Sequence, residues 1–580
     1  MSEHILVCTA WPYANGDQHL GHMAGNFIPA DIFARYHRLK GNKVLMVSGS
    51  DTHGTPITVK ADAEGISPKD VFERYHLRFL DTFINIGISY DMFTHTDTES
   101  HHMIAQDMFK RWLENGYLYK EVQQQYYSLG QQRFLPDRYI EGTCPKCDYE
   151  SARGDQCDNC GTLLDPIDLI EPHATNDDST LELRETEHYF LDLAKLENDI
   201  AAYLNDDKEF WRPNVINFSR SYVEQGLKGR PITRDIKWGV HIPVKGYENK
   251  RLYVWAEAVM GYLTACIEWA ENQGTPKAWH DWWYHPKAKT FYFMGKDNIP
   301  FHSVIWPAEL ISLDRQLYLE DDSKNKRLNL PFNVVSNEYL TMEGTQLSTS
   351  RNYAVWTHDM LERYDPDPIR YCLNAIAPES RDTDFSFAEF VRRNNNELVA
   401  TWGNLVNRVL GFAYKRFDKQ VPLPAKFDEM DKEILAKAEA AFVAVGQLIE
   451  STKLRAAQEA AFALARATNV YFDHKAPWKT FKTDKDLSGT TIYVALKVID
   501  SLKILLAPFL PFTCQTLHEL LGYEGQLFGT LHKETVAEAN SSHVILSYDA
   551  SDVIGKWQPS QLSAGQPLQK HAPTILRAVE

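Results

Sequence analysis

Apolar and polar positions change rhythm several times along the chain. Residues 5–10 form a continuous apolar run that stops at Trp11-Pro12-Tyr13 and Asn15-Gly16, which predicts a buried strand followed by a loop. From about His19 to Arg38 the period becomes helical, with Ile28, Ile32 and Tyr36 four residues apart. Pro29 predicts a local adjustment of that helix. A second apolar run at 43–47 ends in Ser48-Gly49-Ser50-Asp51. Together these make one βαβ unit, which implies a parallel sheet with a right-handed crossover. Residues 67–117 read as helical, with polar loops at 89–91 and 115–116. Short buried strands are predicted at 252–255, 290–294 and 333–336, and a hairpin at 340–344.

Between 118 and 228 the texture is polar and includes an acidic, loop-rich stretch at 176–179. An insertion into the α/β domain is expected there. Beyond 387 the amphipathic period is almost purely helical, over 389–416, 429–451, 453–472 and 490–507, which predicts a helix bundle. The tail from about 541 carries Pro559, Gly565, Pro567 and Pro573 and reads as irregular. The fold class is therefore α/β, a Rossmann-type doubly wound parallel sheet interrupted by an insertion and followed by an all-α bundle.

Length and composition narrow the function class. At 580 residues, two to four domains are expected. No apolar run reaches the length of a membrane span, and residues 1–10 lack the basic start and apolar core of a signal peptide. A cytosolic, cytoplasmic enzyme without membrane partners is expected. The formal charge of −17 favours solubility but leaves room for a local basic face that binds nucleic acid. Of eight cysteines, Cys8, Cys266, Cys372 and Cys514 are scattered in apolar surroundings and read as small buried hydrophobes. Cys144, Cys147, Cys157 and Cys160 form C-x2-C-x9-C-x2-C. That spacing suits one structural Zn²⁺ held in a knuckle, with all four positions filled by protein.

His19-Leu20-Gly21-His22 falls where the first strand hands over to the helix. Ligands of open α/β sheets bind at such strand ends, and a helix N-terminus favours anions. Two histidines three apart can donate to one phosphate, and Gly21 leaves the backbone open to a flat base. This suits stabilisation of charge during attack on the α-phosphate of ATP. No G-x-G-x-x-G follows the first strand, which argues against a dinucleotide oxidoreductase.

Several longer strings carry a resemblance. These are Trp11-Pro12-Tyr13-Ala14-Asn15-Gly16 running into His19-Leu20-Gly21-His22, then Ser50-Asp51-Thr52-His53-Gly54-Thr55-Pro56. Tyr253-Val254-Trp255-Ala256-Glu257-Ala258 with Gly261-Tyr262, and Gly295-Lys296-Asp297 with Phe301-His302-Ser303, extend it. From about residue 4 to 567 the chain resembles the class I aminoacyl-tRNA synthetases, the methionyl enzymes in particular. The resemblance implies ATP-dependent ligation of L-methionine to tRNA(Met) through a methionyl-adenylate, for initiation and elongation, with Mg²⁺ accompanying ATP. It implies catalytic roles for His19 and His22 and a methionine pocket of Trp11, Tyr13, Asp51, Trp255, Val259, Tyr262, Asn298 and His302. Gly21, Lys296 and Asp297 are expected to bind ATP. The span from His22 to Ser348 leaves no room for the large editing insertion of the isoleucine, valine and leucine enzymes.

One motif departs from the family pattern. Gln346-Leu347-Ser348-Thr349-Ser350 occupies the place of the KMSKS loop, and both lysine positions, Gln346 and Thr349, are uncharged. Either Ser348 and Thr349 hydrogen-bond the ATP phosphates while Arg351, Lys296 or Mg²⁺ supplies the missing charge, or adenylation is weakened or lost; the intact state of the other motifs favours the first. In the bundle, Asn404 and Arg408 lie one turn apart, and Trp478 offers a stacking plane. The resemblance makes these the anticodon readers, since unpaired RNA bases are recognised by stacking and edge hydrogen bonds. The implied organisation is a Rossmann catalytic domain in two halves, 1–117 and 229–331, around a connective insertion with the knuckle at 118–228. A loop and stem-contact region at 332–387, an anticodon-binding bundle at 388–540 and a tail at 541–580 follow. With no added dimerisation domain, a monomer is expected.

Overall fold

The computed structural model describes residues 2–175, 180–317, 327–347, 353–570 and 575–580. Seven strands form its main sheet: β1 (His4–Thr9), β2 (Lys43–Ser50), β3 (Met92–His95), β4 (Lys289–Gly295), β5 (Asn333–Asn337), β6 (Thr530–Ala537) and β7 (Ser542–Asp549). Their spatial order is β5-β4-β1-β2-β3-β7-β6, and the first five are mutually parallel. β1 lies between β4 and β2, with Val7 opposite both Phe291 and Met46. Strand order reverses there, and the crevice at that switch point is where open α/β sheets bind ligands.

β1 is apolar throughout because both faces are covered. Ile5 and Val7 enter one core with Phe27, Phe33 and Phe83, while Leu6 and Cys8 enter the other with Met260, Leu263 and Trp283. Alternate side chains of a strand point to opposite faces, so a doubly covered strand reads as an unbroken apolar run.

The adjustment expected at Pro29 is present. Helix Leu20–His22 passes into a π-helical turn, Met23–Phe27, and then into helix Ile28–Leu39. Pro29 has no N–H for the Gly25 carbonyl four residues back, and Asn337 at the end of β5 donates to it instead (2.6 Å).

Three expectations need correction. Residues 67–117 are not wholly helical: helices Pro68–Ile86 and Glu99–Glu114 flank the buried strand β3. At 252–255 only Arg251–Leu252 is extended, paired with Thr233–Arg234 outside the main sheet, and helix Val254–Asn272 begins immediately. That helix is buried on nearly every side, so its sequence lacks an amphipathic period. The tail expected to be irregular begins with β7, which pairs antiparallel with β6 along its length and with β3 at Phe93 and Met92.

The insertion is a long ribbon, Leu118–Ser128 against Leu181–Leu191, that carries the cysteine segment, followed by helices Leu193–Asn205 and Pro213–Glu224. The predicted stretch 176–179 lies outside the described residues. The bundle helices are Asn404–Arg416, Glu429–Glu450, Leu454–Lys475 and Lys485–Leu506. Among the described residues no helix is long and apolar enough to cross a membrane.

Candidate active site

The signature turn is closed by its own histidines. His19 caps the helix: its Nδ1 accepts the His22 backbone N–H (3.4 Å), and the His22 Nδ1 accepts the His19 backbone N–H (3.3 Å). The two rings stack at 3.7 Å with 17° between planes. Burial pushes the His22 imidazole down to about 4, and burial together with His22 pushes His19 well below its ordinary value. Both rings are therefore neutral at pH 7, and with each Nδ1 accepting, the proton sits on Nε2. The turn presents two N–H donors without positive charge. Gly21 is required for the turn itself, because a Cβ there would meet the His19 ring at 2.9 Å. The turn is also clamped from outside. Leu20 N–H donates to the Val355 carbonyl (3.0 Å), Thr357 N–H donates to the Gln18 carbonyl (2.9 Å), and His19 bridges Trp356.

A cavity of about 390 Å³ opens beside this turn. Its walls include Trp11, Tyr13, His19, Gly21, His22, Asp51, Trp255, Val259, Tyr262, Asp297, Asn298 and His302. The residues expected to bind methionine and those of the signature thus share one space. Lys296 is not in that wall. Its ammonium is held by Glu338 (2.9 Å) and Asp382 (2.8 Å), over the Tyr339 ring. Gln346 and Leu347 line the cavity, whereas Ser348, Thr349 and Arg351 lie outside the described residues.

The side of the cavity away from the histidine pair is a chain of directed hydrogen bonds. His302 Nδ1–H donates to the Asn298 carbonyl (2.9 Å), which leaves Nε2 to accept the Tyr262 hydroxyl (2.7 Å). Burial lowers His302 to about 4, so it stays neutral and the direction is fixed. Trp255 Nε1–H donates to the Tyr13 hydroxyl (3.0 Å), and Trp255 meets Phe301 edge-on at 4.9 Å. Trp11 fits only because positions 49 and 261 are glycine: a Cβ would lie 2.1 Å and 2.6 Å from its ring.

Asp51 is buried in this wall. Burial and the nearby Glu257 carboxylate push its carboxyl well above the usual range. The His53 imidazolium and the His53 backbone N–H (3.3 Å) pull the other way without outweighing burial, and an entering ammonium would favour its ionised form. Behind it, His53 Nδ1–H donates to Glu257 (2.9 Å), and His101 reaches the same oxygen (2.6 Å). Against the burial that disfavours its charge, Glu257 and Asp97 hold His53 up to about 10.

Sequence reasoning missed this backing network, and it missed Arg138, Gln156 and Asp158, which the insertion brings into the cavity wall. Arg138 is oriented there by Asp155 (2.7 Å). The only available signal was proximity to the cysteine segment. Within that segment Cys144 Sγ and Cys160 Sγ lie 3.9 Å apart, Cys147 Sγ and Cys157 Sγ 3.6 Å, and all four sulfurs fall within 4.8 Å of one another. Ligands about 2.3 Å from a tetrahedral zinc are ~3.8 Å apart, so the four thiols fit that ion. Their own apolar cluster is small, with Leu135, Tyr139, Ile140, Ala152, Leu169 and Ala174 beside the cysteines.

In the bundle, Arg408 and Trp478 are brought together. The guanidinium lies 5.4 Å from the Trp478 ring and 5.1 Å from Phe472, and it pairs with Asp473. Asn404 is exposed one turn before Arg408, and Trp478 is 39 % exposed.

A family model described as tRNA synthetases class I (M) matches residues 5–410, and one described as the anticodon binding domain of methionyl tRNA ligase matches 421–549. A methionine–tRNA ligase of Thermomicrobium roseum is 52 % identical over 582 residues, covering 100 % of this chain and 97 % of that protein. One from Roseiflexus is 50 % identical, with the same coverage of both. Among solved structures, a Mycobacterium tuberculosis methionyl-tRNA synthetase bound by methionyl-adenylate superposes with a TM-score of 0.76. It is 23 % identical and covers 99 % of this chain and 100 % of its own, which establishes the shared fold.

Proposed function

The chain belongs to the class I methionine–tRNA ligases, and from that premise we propose how its cleft activates methionine and charges tRNA(Met). The observation that carries the reading is the single cavity shared by the neutral His19–His22 pair and the aromatic pocket around Asp51. Methionine's ammonium pairs with Asp51, by a charge-assisted hydrogen bond in a site shielded from water. Its thioether lies among the rings of Trp11, Tyr13, Trp255 and Tyr262, which suit a polarisable sulfur. Its carboxylate attacks the α-phosphate of ATP, and pyrophosphate leaves.

Charge grows on the phosphate oxygens in that transition state, and preorganised donors aimed there stabilise it. The Nε2–H groups of His19 and His22 are such donors. Asp297 holds the ribose. Mg²⁺ accompanying ATP would supply the positive charge that Gln346 and Thr349 do not carry, since Lys296 is committed to Glu338 and Asp382. A hydroxyl of the terminal ribose of tRNA then attacks the methionyl carbonyl and AMP leaves, without a covalent enzyme intermediate. Cys144, Cys147, Cys157 and Cys160 hold a structural Zn²⁺ that shapes the segment bearing Arg138 and Asp158. Arg408, stacked on Trp478, reads an anticodon base with Asn404 beside it.

Aminoacylation of tRNA(Met) with labelled methionine, cysteine and leucine tests the reading. Charging with methionine alone is expected. Charging with another of the three, or with none, would refute it.

A further inference from the structure

We propose that His53, Asp97 and His102 form a second metal site, for a divalent transition ion of zinc-like chemistry, separate from the four cysteines. His53 follows β2, two residues beyond Asp51. Asp97 lies in the connection that leads from β3 into helix Glu99–Glu114, and His102 is on the first turn of that helix. Their ligand atoms all fall within 4.8 Å of one another. Asp97 Oδ1 is 3.4 Å from His53 Nε2 and 3.3 Å from His102 Nε2.

Those separations are informative. A charge-assisted N–H···O bond is about 2.7–2.9 Å long, so both contacts are longer than a tight one, and the His53 contact is a long hydrogen bond. Two ligands about 2.0–2.1 Å from one tetrahedral ion lie ~3.3 Å apart, which is the spacing of Asp97 Oδ1 from each imidazole nitrogen. His102 Nε2 is buried and has no hydrogen-bond partner, although it faces the Asp97 oxygen. The two rings stand 5.2 Å apart, edge to face.

The surroundings fit a ligand set. His53 Nδ1–H donates to Glu257 (2.9 Å), which leaves Nε2 aimed at the cluster. A carboxylate behind a coordinating imidazole fixes its tautomer and raises its basicity. The side chains of Asp97 and His102 are 21 % and 29 % exposed, so an ion has an entry path and a remaining position for water. Two imidazoles and one carboxylate favour zinc, cobalt or iron(II) over magnesium or calcium. Binding would displace the His53 Nε2 proton and tie the segment after β2 to Asp97 and the first turn of helix Glu99–Glu114, behind Asp51.

Cobalt(II) is the probe. Full-length protein is equilibrated with Co(II), freed of loosely held ion, and read by metal content and visible absorption. Two equivalents per chain are expected, with a weak d–d band beside the charge-transfer band of the thiolate site. His102→Ala should retain one equivalent and lose only the weak band, and Asp97→Asn should do the same with native circular dichroism. One equivalent in the unmodified chain, or two equivalents that survive both substitutions, overturns the site. The three side chains would then form a proton-bridged network alone.

Discussion

The two ends of the cleft are built differently. At the methionine end, polar side chains are committed to one another before any ligand arrives: Tyr262 to His302, His302 to the Asn298 carbonyl, Trp255 to Tyr13. Asp51 is the buried carboxyl there, held above its usual range by burial and Glu257, and on the proposed reading it receives the amino acid's ammonium. At the phosphate end the pattern is inverted. His19 and His22 satisfy the backbone with Nδ1 and keep Nε2–H for the ligand. Among the described residues no lysine stands in the cavity wall: position 346 is glutamine, and Lys296 is tied elsewhere. One end therefore selects by shape and fixed hydrogen bonds. On the proposed reading the other holds donors without charge, and ATP's own metal would supply the neutralisation.

Substitutions that strike one end alone test this division. His22→Ala should produce the largest effect, a fall on the order of 10²–10³-fold in the rate of adenylate formation, with KM for methionine nearly unchanged in rapid-quench kinetics. A comparable rise in that KM would mean the ends are not separable. Asp51→Asn should act in the opposite way, raising KM for methionine by roughly 10–10²-fold, the value of a hydrogen bond to a charged group. A change confined to kcat would count against the ammonium assignment. Gln346→Lys restores a charge at the edge of the cavity and should speed adenylate formation by about 3–10-fold, equivalent to about 1 kcal/mol. No gain would show that the phosphate end is already fully compensated.

The smallest effect concerns stability. His22 and His302 are lowered to about 4 in the folded chain, against about 6.5 when unfolded. Between those values the unfolded chain binds more protons, so their contribution is fully present above about 6.5 and declines as pH falls towards 4. Denaturant midpoints at pH 7 and pH 5 should show the loss, and it should shrink in His302→Gln.

The sequence made some elements plain and hid others for physical reasons. β1, β2 and β4 were legible because covered parallel strands are continuous apolar runs, and the signature turn because its residues are contiguous. β3 is four residues long and ends in buried Thr94 and His95, so nothing in its own pattern distinguishes it from the helices around it. β7 owes its place to β3 and β6 rather than to its own period. Helix Val254–Asn272 lacks an amphipathic period because both its neighbours and the sheet bury it. In the site, the methionine wall came from motif residues that the fold gathers. The partnership of His53 with Glu257 spans 204 residues, and Arg138 enters only because the insertion folds back over the cleft. Lys296 stands in a motif, yet Glu338 and Asp382 draw its ammonium away.

The most direct test of the two-ended cleft is methionine-dependent ATP–pyrophosphate exchange by the zinc-loaded chain, followed from about pH 6 to about pH 8. With neutral histidines as donors, exchange should be present and should show no histidine inflection near the ordinary value of about 6.5. Absence of exchange, or an inflection near 6.5 that disappears in His22→Ala, would contradict it.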